Sequence, residues 1–113
     1  MRDTYERLRD IREAIRHIEK YTSQGRDAFD QNELVQTWVM YHLGILGEAA
    51  RSLPQEFKQA YPDIPWAQIS KMRNVLIHIY FGIDQEIIWE IVQRDLPELK
   101  VQVDAILSEQ EGT

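Results

Sequence analysis

Residues 30–52 read DQNELVQTWVMYHLGILGEAARS, and the reading of this stretch decides the fold. Asp30 stands three residues ahead of Glu33, a cap pattern that predicts a helix start. The helix then runs to about Ser52. Its apolar residues are Leu34, Val35, Trp38, Val39, Tyr41, Leu43, Ile45, Leu46, Ala49 and Ala50, which cover more than one face. A helix that is apolar on several sides lies at the centre of a bundle or at a subunit interface. Gly44 and Gly47 lower helix propensity, and glycines so placed permit close backbone approach.

Working outward, the N-terminal side gives a second amphipathic helix. Asp3 precedes Glu6 by three residues, and Leu8, Ile11, Ile15 and Ile18 follow as one apolar stripe. Arg9, Arg12, Arg16 and Lys20 form a basic stripe beside it, and Ser23-Gln24-Gly25 ends the helix. On the C-terminal side Pro54 starts a short helix, Gln55 to Tyr61. The next helix begins near Pro65, carries Trp66, Ile69, Met72, Val75, Leu76 and Ile79, and ends at Phe81-Gly82. Asp84 caps the last, with Ile87, Ile88, Ile91 and Val92 facing inward. Asp95-Leu96-Pro97-Glu98 makes it kink or restart, and Leu99, Val103, Ile106 and Leu107 carry its apolar face on. Residues 108–113 are expected to fray. No stretch shows sustained strand-like alternation. The expected architecture is an all-α, antiparallel four-helix up-and-down bundle with a short extra helix, one domain over residues 1–113.

Composition narrows the class of protein. The chain has 113 residues with 43% hydrophobic and 28% charged side chains, an ordinary globular mix. It contains no Cys, which excludes disulfides, thiolate catalysis and Cys-based zinc sites. No apolar run approaches the roughly 18 residues of a membrane span. The charged opening MRDTYERLRD is not expected to be a secretory signal, so a cytoplasmic location is expected. The net charge of −6 is unevenly placed. Residues 1–26 carry seven basic and five acidic side chains, whereas residues 83–113 carry two and eight. Such a chain repels phosphate backbones overall, so any polyanion must be met by a local basic cluster.

The chemistry concentrates in Lys71-Met72-Arg73-Asn74-Val75-Leu76-Ile77-His78-Ile79-Tyr80-Phe81-Gly82. Arg73, Asn74, His78 and Tyr80 set a fixed cation, an amide, a group titrating near neutral pH and a phenol into an apolar helix end. On an ideal helix Arg73 and Tyr80 fall within roughly 20° of each other, while His78 lies roughly 140° from Arg73. Spacing alone leaves two readings open. In one, Arg73 pairs with a carboxylate, Asn74 faces solvent, and His78 and Tyr80 are half-buried cap residues. In the other, Arg73 and His78 converge on one ligand through side-chain reach, through distortion near Gly82, or because the helix lies at an interface that closes a cleft. Glu48 is a further candidate that either faces the motif or faces solvent. The stripe Arg9/Arg12/Arg16/Lys20 reads as ordinary helix pairing with Asp10, Glu13 and Glu19 rather than as an RNA guide. His17 and His42 have no partner at metal-ligand spacing, and no metal site is expected.

Arg73-x4-His78-x-Tyr80 resembles the Arg-x4-His-x-Tyr signature of the HepT family, a branch of the HEPN superfamily. Leu46-Gly47-Glu48-Ala49-Ala50, Ile64-Pro65-Trp66, Met72 through Leu76, His78 through Gly82, and Trp89 through Asp95-Leu96-Pro97 resemble that family in the same order. Ile79 departs from it, since many relatives have Asp there, and this removes a carboxylate beside His78. The resemblance implies an all-α HEPN-like homodimer that is the toxin of a type II toxin–antitoxin pair and cleaves RNA without metal or cofactor. It implies Arg73 and His78 as catalytic residues, with Asn74, Tyr80 and Glu48 in support. The partner it implies is an MntA-like nucleotidyltransferase antitoxin that transfers AMP from ATP to Tyr80. A second possibility on the same resemblance is a non-catalytic HEPN module whose role is to receive AMP and bind that partner.

Overall fold

The computed structural model describes residues 3–72 and 85–111. Helix α1 spans Thr4–Thr22, and the Asp3 carboxylate accepts a hydrogen bond from the Tyr5 amide at 3.4 Å. Its predicted stripe, Leu8, Ile11, Ile15 and Ile18, is completely buried. Gly25 then takes φ 102° and ψ 171°, a region that side chains with a Cβ avoid, and turns the chain into α2, Arg26–Asp30. This short helix is absent from the sequence reading. It drives Phe29 into the core, and the Gln36 side-chain amide donates to the carbonyls of Phe29 (2.9 Å) and Asp30 (3.1 Å).

Helix α3 spans Glu33–Arg51. Its cap is Asn32, not Asp30: Asn32 Oδ1 accepts from the Leu34 amide at 3.0 Å and the Val35 amide at 3.2 Å. Asp30 closes α2 instead, where its carboxylate meets Arg26 Nε at 3.2 Å. Ring contacts pair residue 17 with 42 and 21 with 38, so α1 and α3 run antiparallel. The buried face of α3 consists of Val39, His42, Leu43, Leu46, Gly47, Ala49 and Ala50. The opposite side is exposed, most of all at Leu34 (81%) and Tyr41 (64%).

Two short helices follow. Helix α4 spans Gln55–Ala60 and α5 spans Trp66–Ser70. The Trp66 indole donates to the Tyr61 carbonyl at 3.1 Å, and Phe57 packs on both rings. Helix α5 starts where the helix predicted from Pro65 was expected but ends at Ser70, with Lys71 as its C-cap; the part of that prediction from residue 73 onward lies outside the described residues.

The last helical stretch is α6, Gln85–Glu90, a π-helical turn, Ile91–Asp95, and α7, Leu96–Glu111. The Leu96 amide reaches back five residues to the Ile91 carbonyl. Pro97 explains the widened turn: it has no N–H to give the Gln93 carbonyl, and its ring would crowd that oxygen in a regular α-helix. The predicted kink is thus a π-bulge rather than a break. Helix α7 continues to Glu111, past Ser108 where fraying was expected. Its Leu99, Val103, Ile106 and Leu107 are buried, and Lys100 Nζ meets Glu19 Oε1 of α1 at 3.1 Å. No strand occurs among the described residues, as the all-α reading requires. None of their helices is long and apolar enough to cross a membrane.

The core and the outer side of α3 should respond differently to truncation. Leu43→Ala is expected to cost about 2–5 kcal/mol, as deletion of a fully buried leucine does. Leu34→Ala should stay within about 0.5 kcal/mol, as befits a surface site. Urea unfolding checks this: the midpoint should fall for the first variant and hold for the second, at unchanged m.

Candidate functional site

Arg73, Asn74, His78 and Tyr80 lie outside the described residues. What can be built is the frame on either side of them. Entry is through α5 and Met72. The Ser70 hydroxyl donates to the Trp66 carbonyl at 2.9 Å, and Trp66, Ile69 and Met72 are buried against the core. Met72 is therefore anchored directly ahead of Arg73. Exit is through α6, where Ile88 is fully buried and Arg26 of α2 meets Glu86 at 3.6 Å. An open cleft of about 250 Å³ lies between α5 and the junction of the π-turn with α7. Ile69, Met72, Ile91 and Leu99 form its apolar wall, with Lys71, Asp95 and Glu98 also lining it. Glu48 sits on an exposed position of α3 between buried Gly47 and Ala49.

The basic stripe of α1 is partly engaged. Arg16 pairs with Glu13 at 2.9 Å, in agreement with ordinary helix pairing. Arg12 is half-buried, and its Nε has no hydrogen-bond partner among the described residues. Lys20 Nζ stands 5.6 Å from the centre of the Tyr21 ring.

The structure joins two histidines that sequence spacing kept apart. His17 of α1 and His42 of α3 stack with ring centroids 4.6 Å apart and planes within 15°. Trp38 packs edge-on against both, at 5.5 Å from His17 and 4.5 Å from His42. Tyr21 meets Trp38, and Tyr41 meets His42, in the same edge-to-face manner. The Trp38 indole donates to the His17 carbonyl at 2.6 Å, which ties the two helices together. His42 is only 7% exposed, and neither ring nitrogen has a hydrogen-bond partner among the described residues. Burial pushes its pKa below the ordinary 6.5, and the neighbouring His17 lowers it further. The pair cannot chelate one ion, because stacked rings aim their lone pairs in parallel rather than at a common point. Among the described residues no group of three or more His, Cys, Asp or Glu could hold a metal. The signal that could have revealed this cluster is helical phase: residues 17 and 42 sit on facing edges of two antiparallel helices.

Comparison with known proteins gives a consistent picture. The family model described as Ribonuclease HepT-like matches residues 11–106. A protein of Thermococcus cleftensis named "Probable ribonuclease HepT" is 42% identical over 94 residues, covering 82% of this chain and 86% of the relative. A protein of Methanocaldococcus jannaschii that carries an RNase name is 35% identical over 106 residues, covering 93% of this chain and 97% of the relative. A second protein of that organism, whose name couples gamma-glutamylcyclotransferase with RNase, is 40% identical over 103 residues. The chain spans about half of that relative, 46% of its length. No solved structure matches.

The histidine stack yields a pH prediction. Above 6.5 His42 is neutral in both the folded and the unfolded chain. As pH falls below 6.5 the unfolded chain takes up the proton first, so stability is lost from there down to the depressed native pKa. Thermal melts between pH 8 and about 5 should show this decline, and His42→Phe should flatten it. An unchanged slope in the variant would remove His42 as its source.

Proposed function

The chain belongs to the HepT-like ribonuclease family, and from that premise we propose a metal-independent endoribonuclease in which Arg73 and His78 are the catalytic pair. The observation that carries this reading is the family match over residues 11–106, which encloses the intact Arg73-x4-His78-x-Tyr80 motif. In this reading residues 1–113 form one HEPN-like domain acting in the cytoplasm.

The reaction asks for little beyond these residues. The ribose 2′-oxygen attacks the adjacent phosphorus and loses its proton to a base. The bond to the 5′-oxygen breaks, and that oxygen takes a proton from an acid, leaving a 2′,3′-cyclic phosphate. His78, titrating near neutral pH, serves as base or acid. Arg73 clamps the phosphoryl oxygens bidentately as charge develops on them, which a lysine would do less well. Asn74 and Glu48 support the site by orienting these two groups. One histidine cannot fill both proton-transfer roles at once, so a two-fold homodimer would bring a second motif to the same cleft.

Tyr80 supplies the means of control. The partner is an MntA-like nucleotidyltransferase antitoxin. In the transfer the Tyr80 phenol oxygen attacks the α-phosphorus of ATP, losing its proton, and pyrophosphate leaves. The attached AMP then places a bulky anion beside Arg73, which blocks RNA by sterics and by charge. The protein is thus the toxin of the pair, silenced by modification.

Two measurements check this reading. Purified protein should cleave single-stranded RNA in EDTA, and Arg73→Ala or His78→Ala should each lower the rate by about 10²-fold or more. Equal cleavage by both variants would refute the catalytic assignment. Intact-mass analysis after co-expression with the nucleotidyltransferase should show one added AMP, and Tyr80→Phe should abolish it. AMP retained in that variant would place the modification elsewhere.

A further inference from the structure

The ring cluster between α1 and α3 has no part in the cleavage chemistry, and it is not explained by core packing alone. Its lower member, His42, is buried, but its upper member, His17, is exposed. One face of the His17 ring is covered by His42 at 4.6 Å, Trp38 meets it at 5.5 Å in an edge-to-face arrangement, and the residue as a whole is exposed. Tyr41, 64% exposed, flanks the stack on one side. Half-buried Trp38 also packs against the stack and in turn meets half-buried Tyr21, with the Lys20 ammonium 5.6 Å from the centre of the Tyr21 ring.

We infer that this cluster is a stacking platform for an unpaired nucleobase of the RNA substrate: the base continues the His42–His17 column, and Lys20 meets the adjoining phosphate. The inference rests on the ribonuclease reading for the identity of its ligand.

Three observations carry it. First, the rings are held rather than loose: the Trp38 indole is tied to the His17 carbonyl at 2.6 Å, so the platform exists before a ligand arrives. Second, His42 has no hydrogen-bond partner for either ring nitrogen among the described residues. Burial favours the uncharged form of the His42 imidazole, which supports His17 from below as a flat ring. Third, the platform stands on α1, whose segment 1–26 is the basic part of an acidic chain. A flat aromatic surface beside a cation is the combination that single-stranded nucleic acid selects, since every base has a π-face and every linkage a phosphate. Duplex RNA offers no free base face and would gain nothing here.

The test uses the full chain carrying His78→Ala, so that RNA is bound without being cut. Affinity for a short labelled single-stranded RNA is measured by anisotropy in EDTA at low salt, with and without His17→Ala or Tyr41→Ala. Each added substitution should weaken binding about tenfold, and Lys20→Ala should reduce the salt dependence by about one phosphate contact. Binding of duplex RNA should not respond to His17→Ala. In chains with His78 intact, His17→Ala and Tyr41→Ala should raise KM and leave kcat alone. Tyr41 is exposed, so its variant remains informative if His17→Ala does not fold.

Unchanged single-strand affinity in both variants overturns the inference, as does a wild-type chain that binds no RNA. It is equally overturned if Leu34→Ser or Tyr41→Ala converts a dimer to a monomer in light scattering, because a second copy then covers this face. Failure of the ribonuclease reading looks different: Arg73→Ala and His78→Ala would cleave like wild type, whatever the platform variants do.

Discussion

The antiparallel docking of α1 on α3 is the constraint on which the rest of the structure depends. Leu8, Ile11, Ile15 and Ile18 supply one buried surface and Val39, Leu43, Leu46 and Ala50 the other, all with no exposed area. Each of the leucine, isoleucine and valine side chains contributes about 1.5–3 kcal/mol when removed from water. The pairing also fixes everything that touches it. Helix α5 packs on α3 and α7 packs on α1, so the helix that leads to residue 72 and the helix that ends the chain each rest on one member of the pair.

Much of this seam was legible in the sequence because it is periodic. The stripe on α1 has three- and four-residue spacing, and every member is buried. Helix α3 was harder to read, since its apolar residues surround it and no single face stands out. The structure separates them: Val39, Leu43 and Leu46 face the core while Leu34 and Tyr41 face out. Helix α2 escaped the reading for a different reason. At five residues it shows too little periodicity to register, and Asp30 mimics a cap while serving as the partner of Arg26. Whether the histidines meet is a question of tertiary register. His17 and His42 are distant in sequence and obey no spacing rule, and only the relative phase of two helices brings them to 4.6 Å. The candidate residues Arg73, Asn74, His78 and Tyr80 were legible through motif and resemblance alone. Periodicity places Arg73 and Tyr80 on one side of a helix and leaves His78 on another.

Pro97 shows how a local defect can be accommodated without losing a helix. The proline removes one hydrogen bond, and the backbone answers by widening the turn ahead of it until the Leu96 amide reaches the Ile91 carbonyl. One inserted residue in a helix shifts the phase of all that follows by about 100°. Ile88 before the bulge, Val92 within it, and Leu96, Leu99 and Val103 after it are nonetheless all buried in the core. The bulge also borders the cleft between α5 and α7, so the same local widening shapes the surface next to Met72.

Charge sets the remaining condition on function. A chain of net −6 has no general attraction for RNA, and its acidic C-terminal third opposes it. Binding energy must therefore come from a small region that combines cations with contacts indifferent to charge. Stacking is such a contact: it depends on a flat polarizable face and is not screened by salt as phosphate contacts are. The burial of His42 matters in this light, because it favours the uncharged ring beneath His17. An acidic protein that acts on RNA is then not a contradiction. It relies on shape where a basic one relies on charge, and it gains selectivity for unpaired strands because only they present the faces that stack.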